Sequence, residues 1–124
     1  MSKAGGGARL VAAGALLAAS AVLLGAFGAH ALQARLGPVE LGWWQTAGHY
    51  LLPHAVAAFA IGLNDRAAFR LPAWMLAGGA LLFAATLYLM ALGAPRMLGA
   101  VTPLGGLLMI AGWLLLAWRA LRED

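Results

Sequence analysis

From Leu41 to Asn64 the chain carries 24 residues without a single Asp, Glu, Lys or Arg, and this gap dictates the solvent it folds in. An α-helix rises about 1.5 Å per residue, so about 20 apolar residues cross a hydrocarbon core about 30 Å thick. Three more charge-free runs, Leu10–Ala34, Leu71–Pro95 and Met97–Trp118, have 25, 25 and 22 residues. All four are long enough to span. A membrane β-barrel would need segments of roughly ten residues alternating apolar and polar, and none of the runs alternates in that way. The expected fold is all-α, an integral membrane four-helix antiparallel bundle, because the connections at Arg35–Glu40, Asp65–Arg70 and Ala94–Arg96 are too short for anything but hairpins. Helices are placed at about 10–32, 43–63, 72–93 and 98–118 in a single domain over 10–118, between cytoplasmic tails at 1–9 and 119–124.

Composition supports the lipid reading. Hydrophobic residues make up 64% of the chain and mean hydropathy is +0.87, against roughly 45–50% apolar in soluble domains. The net charge of +4 comes from eight basic residues scattered between apolar runs. Scattered cations are topology signals rather than a nucleic-acid-binding face, so no nucleic acid is expected as a partner. Lys3, Arg9, Arg66, Arg70, Arg119 and Arg122 fall on one side and only Arg35 and Arg96 on the other. That bias puts both termini in the cytoplasm, and the expected location is the cell inner (plasma) membrane, crossed several times. Trp43 and Trp44 are then expected at the outer interface, and Trp74 and Trp118 at the inner one. With no cysteine, disulfides and thiolate metal sites are excluded.

A secretory-signal reading competes at the amino terminus, where Lys3 and Arg9 precede an apolar stretch and Ala29-His30-Ala31 imitates a cleavage site. The run continues through Ala34, long for a signal core. Ala21, Gly25 and Ala29 recur every four residues, as do small residues where membrane helices approach closely. Such faces allow a homo-oligomer or a larger membrane complex as partner, besides the lipid bilayer. Gly14–Ala29 and Gly79–Ala94 share nine identical positions, a hint of a parallel duplication of helix pairs.

Polar side chains gather in the outer half of the expected bundle: His30 and Gln33, then Gln45, Thr46, His49 and Tyr50, then Thr86, Tyr88 and Thr102. Thr46, Tyr50 and His54 share a helix face at i, i+4, i+8. Pro53 and Pro103 cannot donate to the carbonyls of His49 and Gly99, which then need other partners. The expectation is a polar pocket open to the outside, with His54 at its floor. The competing account is that these groups only bond across helices, each contact worth about 0.6 kcal/mol on average. Axial haem ligation by pairs among His30, His49 and His54 is chemically conceivable. Yet His49 and His54 lie about 140° apart round one helix and do not face a single iron. Asp and Glu, the usual intramembrane proton carriers, are absent from all four runs. Glu40 is expected to pair with Arg35 in a solvated loop. Motifs of hydrolases, kinases and metalloproteases are missing, so no catalytic residue, metal site or cofactor is assigned.

GAFGAHAL (Gly25–Leu32), the pattern of Thr46, Ala47, Tyr50 and His54, LYLMAL (Leu87–Leu92) and LGAVTPLGGLLMIAGW (Leu98–Trp113) resemble the small bacterial membrane proteins grouped as domain of unknown function 423, whose animal relatives are called transmembrane protein 256. The likeness covers nearly all of the chain after Arg9. It implies a four-helix membrane protein without an assigned activity, with Gly28, His30, Tyr88, Pro103, Gly105 and Trp113 among the matching positions. Leu51 and Pro53 stand where relatives tend to have polar or aromatic residues, and Ala84 and Ala85 where they have Ser-Gly, which implies a drier pocket here. The leading functional expectation is a non-enzymatic structural or partner subunit. A carrier or binding protein for a small apolar or weakly polar molecule is the alternative, and haem or quinone binding the third.

Overall fold

The computed structural model describes residues 6–123; Lys3 of the expected amino-terminal tail lies outside them. Four helices form α1 (Gly6–Phe27), α2 (Pro38–Asn64), α3 (Arg70–Ala91) and α4 (Thr102–Arg122). A π-helical turn, Gly28–Leu32, extends α1, and 3-10 turns at Ala67–Phe69 and Arg96–Ala100 lead into α3 and α4. The fold is an all-α antiparallel membrane bundle with no strand among the described residues. α1 packs along α2, α2 along α3 and α3 along α4, while α1 and α4 form no interface with each other.

Local chemistry fixes the ends, and in places corrects the expected ones. α1 starts at Gly6 and α4 runs to Arg122, so parts of both expected tails are helical. α2 starts at Pro38 rather than 43, behind an extended Gly37, because proline at the first turn sacrifices no hydrogen bond. Glu40 folds back over Gly37 at this helix start, and among the described residues it forms no ion pair with Arg35. α2 ends at Asp65, whose left-handed backbone (φ 56°) an aspartate tolerates, and whose carboxylate accepts a bond from Arg70 at 2.8 Å. α3 stops at Gly93 (φ 111°), with Ala94 N donating to Leu89 O and Gly93 N to Met90 O, the paired closure that a left-handed glycine allows. Pro103 delays α4 to Thr102 rather than 98.

The packing is inside out relative to a soluble bundle. Ala47, Ala55, Ala58, Ala73 and Ala80 are fully buried, whereas Leu16, Leu23, Leu107 and Leu114 are 62–70% exposed. Lipid tails solvate leucine as well as another helix does, so small residues that let backbones approach take the contacts. Three of the helical segments, Gly6–Leu32, Ala67–Ala91 and Arg96–Arg122, are long and apolar enough to cross a membrane. α2 is long enough at 27 residues, but Gln45, His49, Tyr50 and His54 lower its hydropathy, and it is not among those three. Ser20, on the exposed face of α1, satisfies its hydroxyl on its own helix at Leu16 O, 2.9 Å away.

The two hairpins cross alike. A Cβ on Gly14 would lie 2.6 Å from Ala55 O and Phe59 N; a Cβ on Gly79 would lie 2.8 and 2.9 Å from Gly105 O and Met109 N. Gly62 likewise meets Gly7 O and Val11 N of α1, and Gly112 meets Pro72 O and Met75 of α3. Superposing these crossings sets Gly14 on Gly79, Gly62 on Gly112 and Pro53 on Pro103. The sequence match of Gly14–Ala29 to Gly79–Ala94 is in the same register, so the repeat is one of helix-pair geometry as well as composition. Beyond the shared crossing, α1 together with its π-helical turn outruns α3 by six residues, roughly 9 Å at about 1.5 Å per residue, and the α1–α2 hairpin projects past the α3–α4 one.

Candidate functional site

The polar side chains sort into separate places, set by which face of α2 they occupy. His54 lies beside α4. Its Nδ1 is 2.7 Å from Tyr50 O, and Trp113 Nε1 donates to its Nε2 at 2.9 Å. An indole N–H can only donate, so Nε2 holds the lone pair and Nδ1 carries the proton that Tyr50 O accepts. Both ring nitrogens of His54 are thereby engaged, one by its own helix and one by α4. The two rings stand 5.7 Å apart at 62°, and Tyr50 packs edge-on against Phe83 of α3 at 4.9 Å. These residues line a lateral groove of about 370 Å³. Thr46, one turn nearer the hairpin end, is exposed and borders a shallow hollow with Gly42, Gln45 and Tyr50.

A second polar contact joins α3 to α4. Thr86 and Thr102 are both buried, their hydroxyls 2.7 Å apart, with Thr86 also 2.9 Å from Phe83 O and Thr102 3.2 Å from Leu98 O. Two protons serve three contacts, so one hydroxyl donates to its own helix while the other donates across the interface.

A third cluster sits where α1, α2 and α3 meet. Trp44, expected at the outer interface, is only 3% exposed, and its indole donates to Leu24 O at 2.7 Å. Tyr88 packs edge-on against it at 4.6 Å. Gly28 makes room: a Cβ there would fall 2.4 Å from the indole Cδ1 and Nε1. Tandem tryptophans on a helix point about 100° apart, so Trp44 turns inward while Trp43 stays near the protein surface, with the Arg96 guanidinium 5.3 Å from its ring. Tyr88 belongs to this cluster rather than to a layer shared with His54, and its hydroxyl is buried without a hydrogen-bond partner among the described residues, beside Gly48.

His49 borders the hollow beside Thr46 and Tyr50 and also reaches a second site. It lines a cleft of about 490 Å³ between α1 and α2 together with Gln33 and Gln45, against walls that include Trp44, Leu52 and Gly25. No charged residue lines this cleft. His30 is exposed on the π-helical turn and lines neither the cleft nor the groove. The residues expected around one pocket floored by His54 are therefore distributed between the α1–α2 cleft, the α2–α4 groove and two buried contacts. Among the described residues no group of three or more His, Asp or Glu is placed to hold a metal ion. The partner that sequence reasoning did not assign is Trp113. An indole in the middle of a span needs an acceptor, and that was the available signal.

The opposite end of the bundle carries the α2–α3 connection, the start of α1 and the end of α4. Arg66 pairs with Glu123, Arg70 with Asp65, and Arg119 Nη1 donates to Ala68 O at 3.0 Å. Arg122 stacks on Trp118 with 4.6 Å to the ring centre. These contacts tie the carboxy-terminal end of α4 to the α2–α3 turn.

No solved structure matches this chain. Among curated relatives it is similar to a UPF0382 membrane protein of Staphylococcus saprophyticus, 41% identical over 106 residues covering 83% of this chain and 88% of the relative. A UPF0382 membrane protein of Staphylococcus epidermidis is 39% identical over 112 residues, covering 88% and 92%. The UPF0382 inner membrane protein YgdD of Escherichia coli K12 is 41% identical over 107 residues, covering 82% and 80%. The family model described as "Protein of unknown function (DUF423)" matches residues 24–106, which takes in the π-helical turn, all of α2 and α3 and the start of α4. Inside-out packing, the four helices and this match agree: the chain belongs to the DUF423 family of membrane proteins.

Proposed function

We propose that this is a non-enzymatic, multi-pass protein of the inner membrane, a structural or partner subunit whose polar side chains hold its own helices in register. The observation that carries this reading is His54, whose two ring nitrogens are both consumed, one by its own helix and one by Trp113 of α4. A histidine so engaged is held in one orientation by groups of two helices, which supports a locking role. Thr86–Thr102 and Trp44–Leu24 make the same use of polar groups at the α3–α4 and α1–α2 interfaces. The inner-membrane placement is supported by the name of the Escherichia coli relative. Cytoplasmic termini are supported by Arg9, Arg66, Arg70, Arg119 and Arg122 at one end of the bundle against Arg35 and Arg96 at the other.

The test is a double-mutant cycle with His54→Leu and Trp113→Phe, read as thermal stability in mild detergent. A coupling of about 0.6 kcal/mol, and at most about 1.7, is expected for an interhelical bond of this kind; strictly additive losses would remove the locking role. Topology is read separately, since the chain has no cysteine. In intact cells an impermeant maleimide should label Gly37→Cys and leave Ser2→Cys and Asp124→Cys untouched, and labelling of either terminus would overturn the orientation.

A further inference from the structure

We infer that the α1–α2 cleft is a binding site for a small neutral amphiphile whose polar end is a carbonyl or hydroxyl group. The site is independent of the His54 contact and lies on a different face of α2. Its volume, about 490 Å³, is within the roughly 300–1,000 Å³ usual for small-molecule pockets. The walls decide the chemistry of the occupant. Trp44, Leu52 and Gly25 supply apolar surface, while Gln33, Gln45 and His49 supply hydrogen-bonding groups. Among the described residues these three side chains make no hydrogen bond to protein, in contrast to His54, Thr86, Thr102 and Trp44. A phosphate or carboxylate head would find no cation in the lining and would be poorly solvated there. A carbonyl or hydroxyl would find both donors and acceptors.

Two features of the backbone keep the cleft open. The end of α1 adopts a π-helical turn at Gly28–Leu32, a rare geometry concentrated at functional sites, and Gly28, Ala29 and Gln33 from this end face the cleft. Pro53, on the α2 wall, withholds the N–H that would satisfy the His49 carbonyl in an unbroken helix. The repeat sharpens the contrast: the α3–α4 hairpin has the same crossing, but its helices end sooner, and most of the cleft lies where α1 and α2 project past it.

The experiment uses the full chain in phosphatidylcholine nanodiscs and native mass spectrometry, with decylubiquinone as the carbonyl-headed probe, dioctanoylglycerol as the hydroxyl-headed probe and octanoate as the charged one. Expected is a saturable one-to-one adduct with a neutral probe and none with octanoate; which neutral probe is retained distinguishes a quinone-like from a glyceride-like head. The double variant Gln45→Leu/His49→Leu should weaken that adduct about tenfold or more. Gly25→Leu should abolish it. A Cβ at Gly25 meets nothing within 4 Å, so the side chain fills the cleft without forcing the helices apart, and Gly78→Leu, equally unobstructed but outside the cleft, should bind like the parent. The inference is overturned if neither neutral probe is retained, if octanoate binds as well, or if the variants bind unchanged. It is also overturned if Gly25→Leu breaks a dimer while leaving the adduct intact, which would assign the cleft to a second copy of the chain. Loss of His54–Trp113 coupling alone leaves these outcomes unaffected.

Discussion

Replacing glycines by alanine one at a time should divide this chain's glycines into two groups of opposite sign. At Gly14 the added methyl would sit 2.6 Å from Ala55 O and Phe59 N, and at Gly105 it would sit 2.6 Å from Phe83 N and 2.7 Å from Gly79 O. All four neighbours are backbone atoms, so no rotamer change relieves the overlap. The helices must separate by about 0.8 Å to restore ordinary contact, and a radial gap of 0.5–1 Å forfeits about a quarter to a half of each dispersion contact along the interface. Overpacking of this kind costs about 1–3 kcal/mol. Gly25, Gly42 and Gly78 are the internal controls, because an added Cβ there meets nothing within 4 Å. At those positions alanine removes backbone freedom from the unfolded chain and should stabilise by about 0.5–1 kcal/mol. The two groups should therefore differ by about 2–4 kcal/mol, measured as unfolding in mixed micelles of increasing denaturing-detergent fraction. Gly14→Ala and Gly105→Ala as stable as Gly25→Ala would refute backbone-to-backbone contact at the crossings, and with it the equivalence of the two hairpins.

Three further measurements bear on the polar contacts. Thr86→Val and Thr102→Val should each destabilise by about 1–3 kcal/mol by stranding a buried partner, while the double variant should recover most of the loss; a double variant worse than the sum would remove the pairing. Tyr88→Phe should leave stability unchanged or raise it by up to about 1 kcal/mol, because the hydroxyl is buried without a partner, and a clear fall in melting temperature would mean that the hydroxyl is bonded in the membrane. Trp44→Phe should cost about 1–3 kcal/mol through loss of the bond to Leu24 O and of contact with Gly28, and a neutral result would remove the role of this contact.

What the sequence determined by itself is the solvent and the number of elements. Charge-free runs of 22–25 residues admit helices and little else in lipid, since every backbone group must be satisfied within its own segment. Gly37-Pro38 and Gly93 marked helix ends by local backbone chemistry, although the precise starts of α2 and α4 moved with their prolines. The glycines at the crossings were visible as composition, but their partners were not. Tertiary structure alone decided which polar groups meet. Membrane helices are apolar on every side, so no hydrophobic face tells the sequence reader which way a helix turns. Rotation of α2 was settled by small residues fitting against α1 and α3, and that rotation sent His54 to Trp113, His49 to the cleft, and Trp44 into the core. Spacing along α2 correctly grouped Thr46, Tyr50 and His54, because a single helix fixes relative direction. It could not reveal what stands opposite, because that depends on how closely two other backbones can approach.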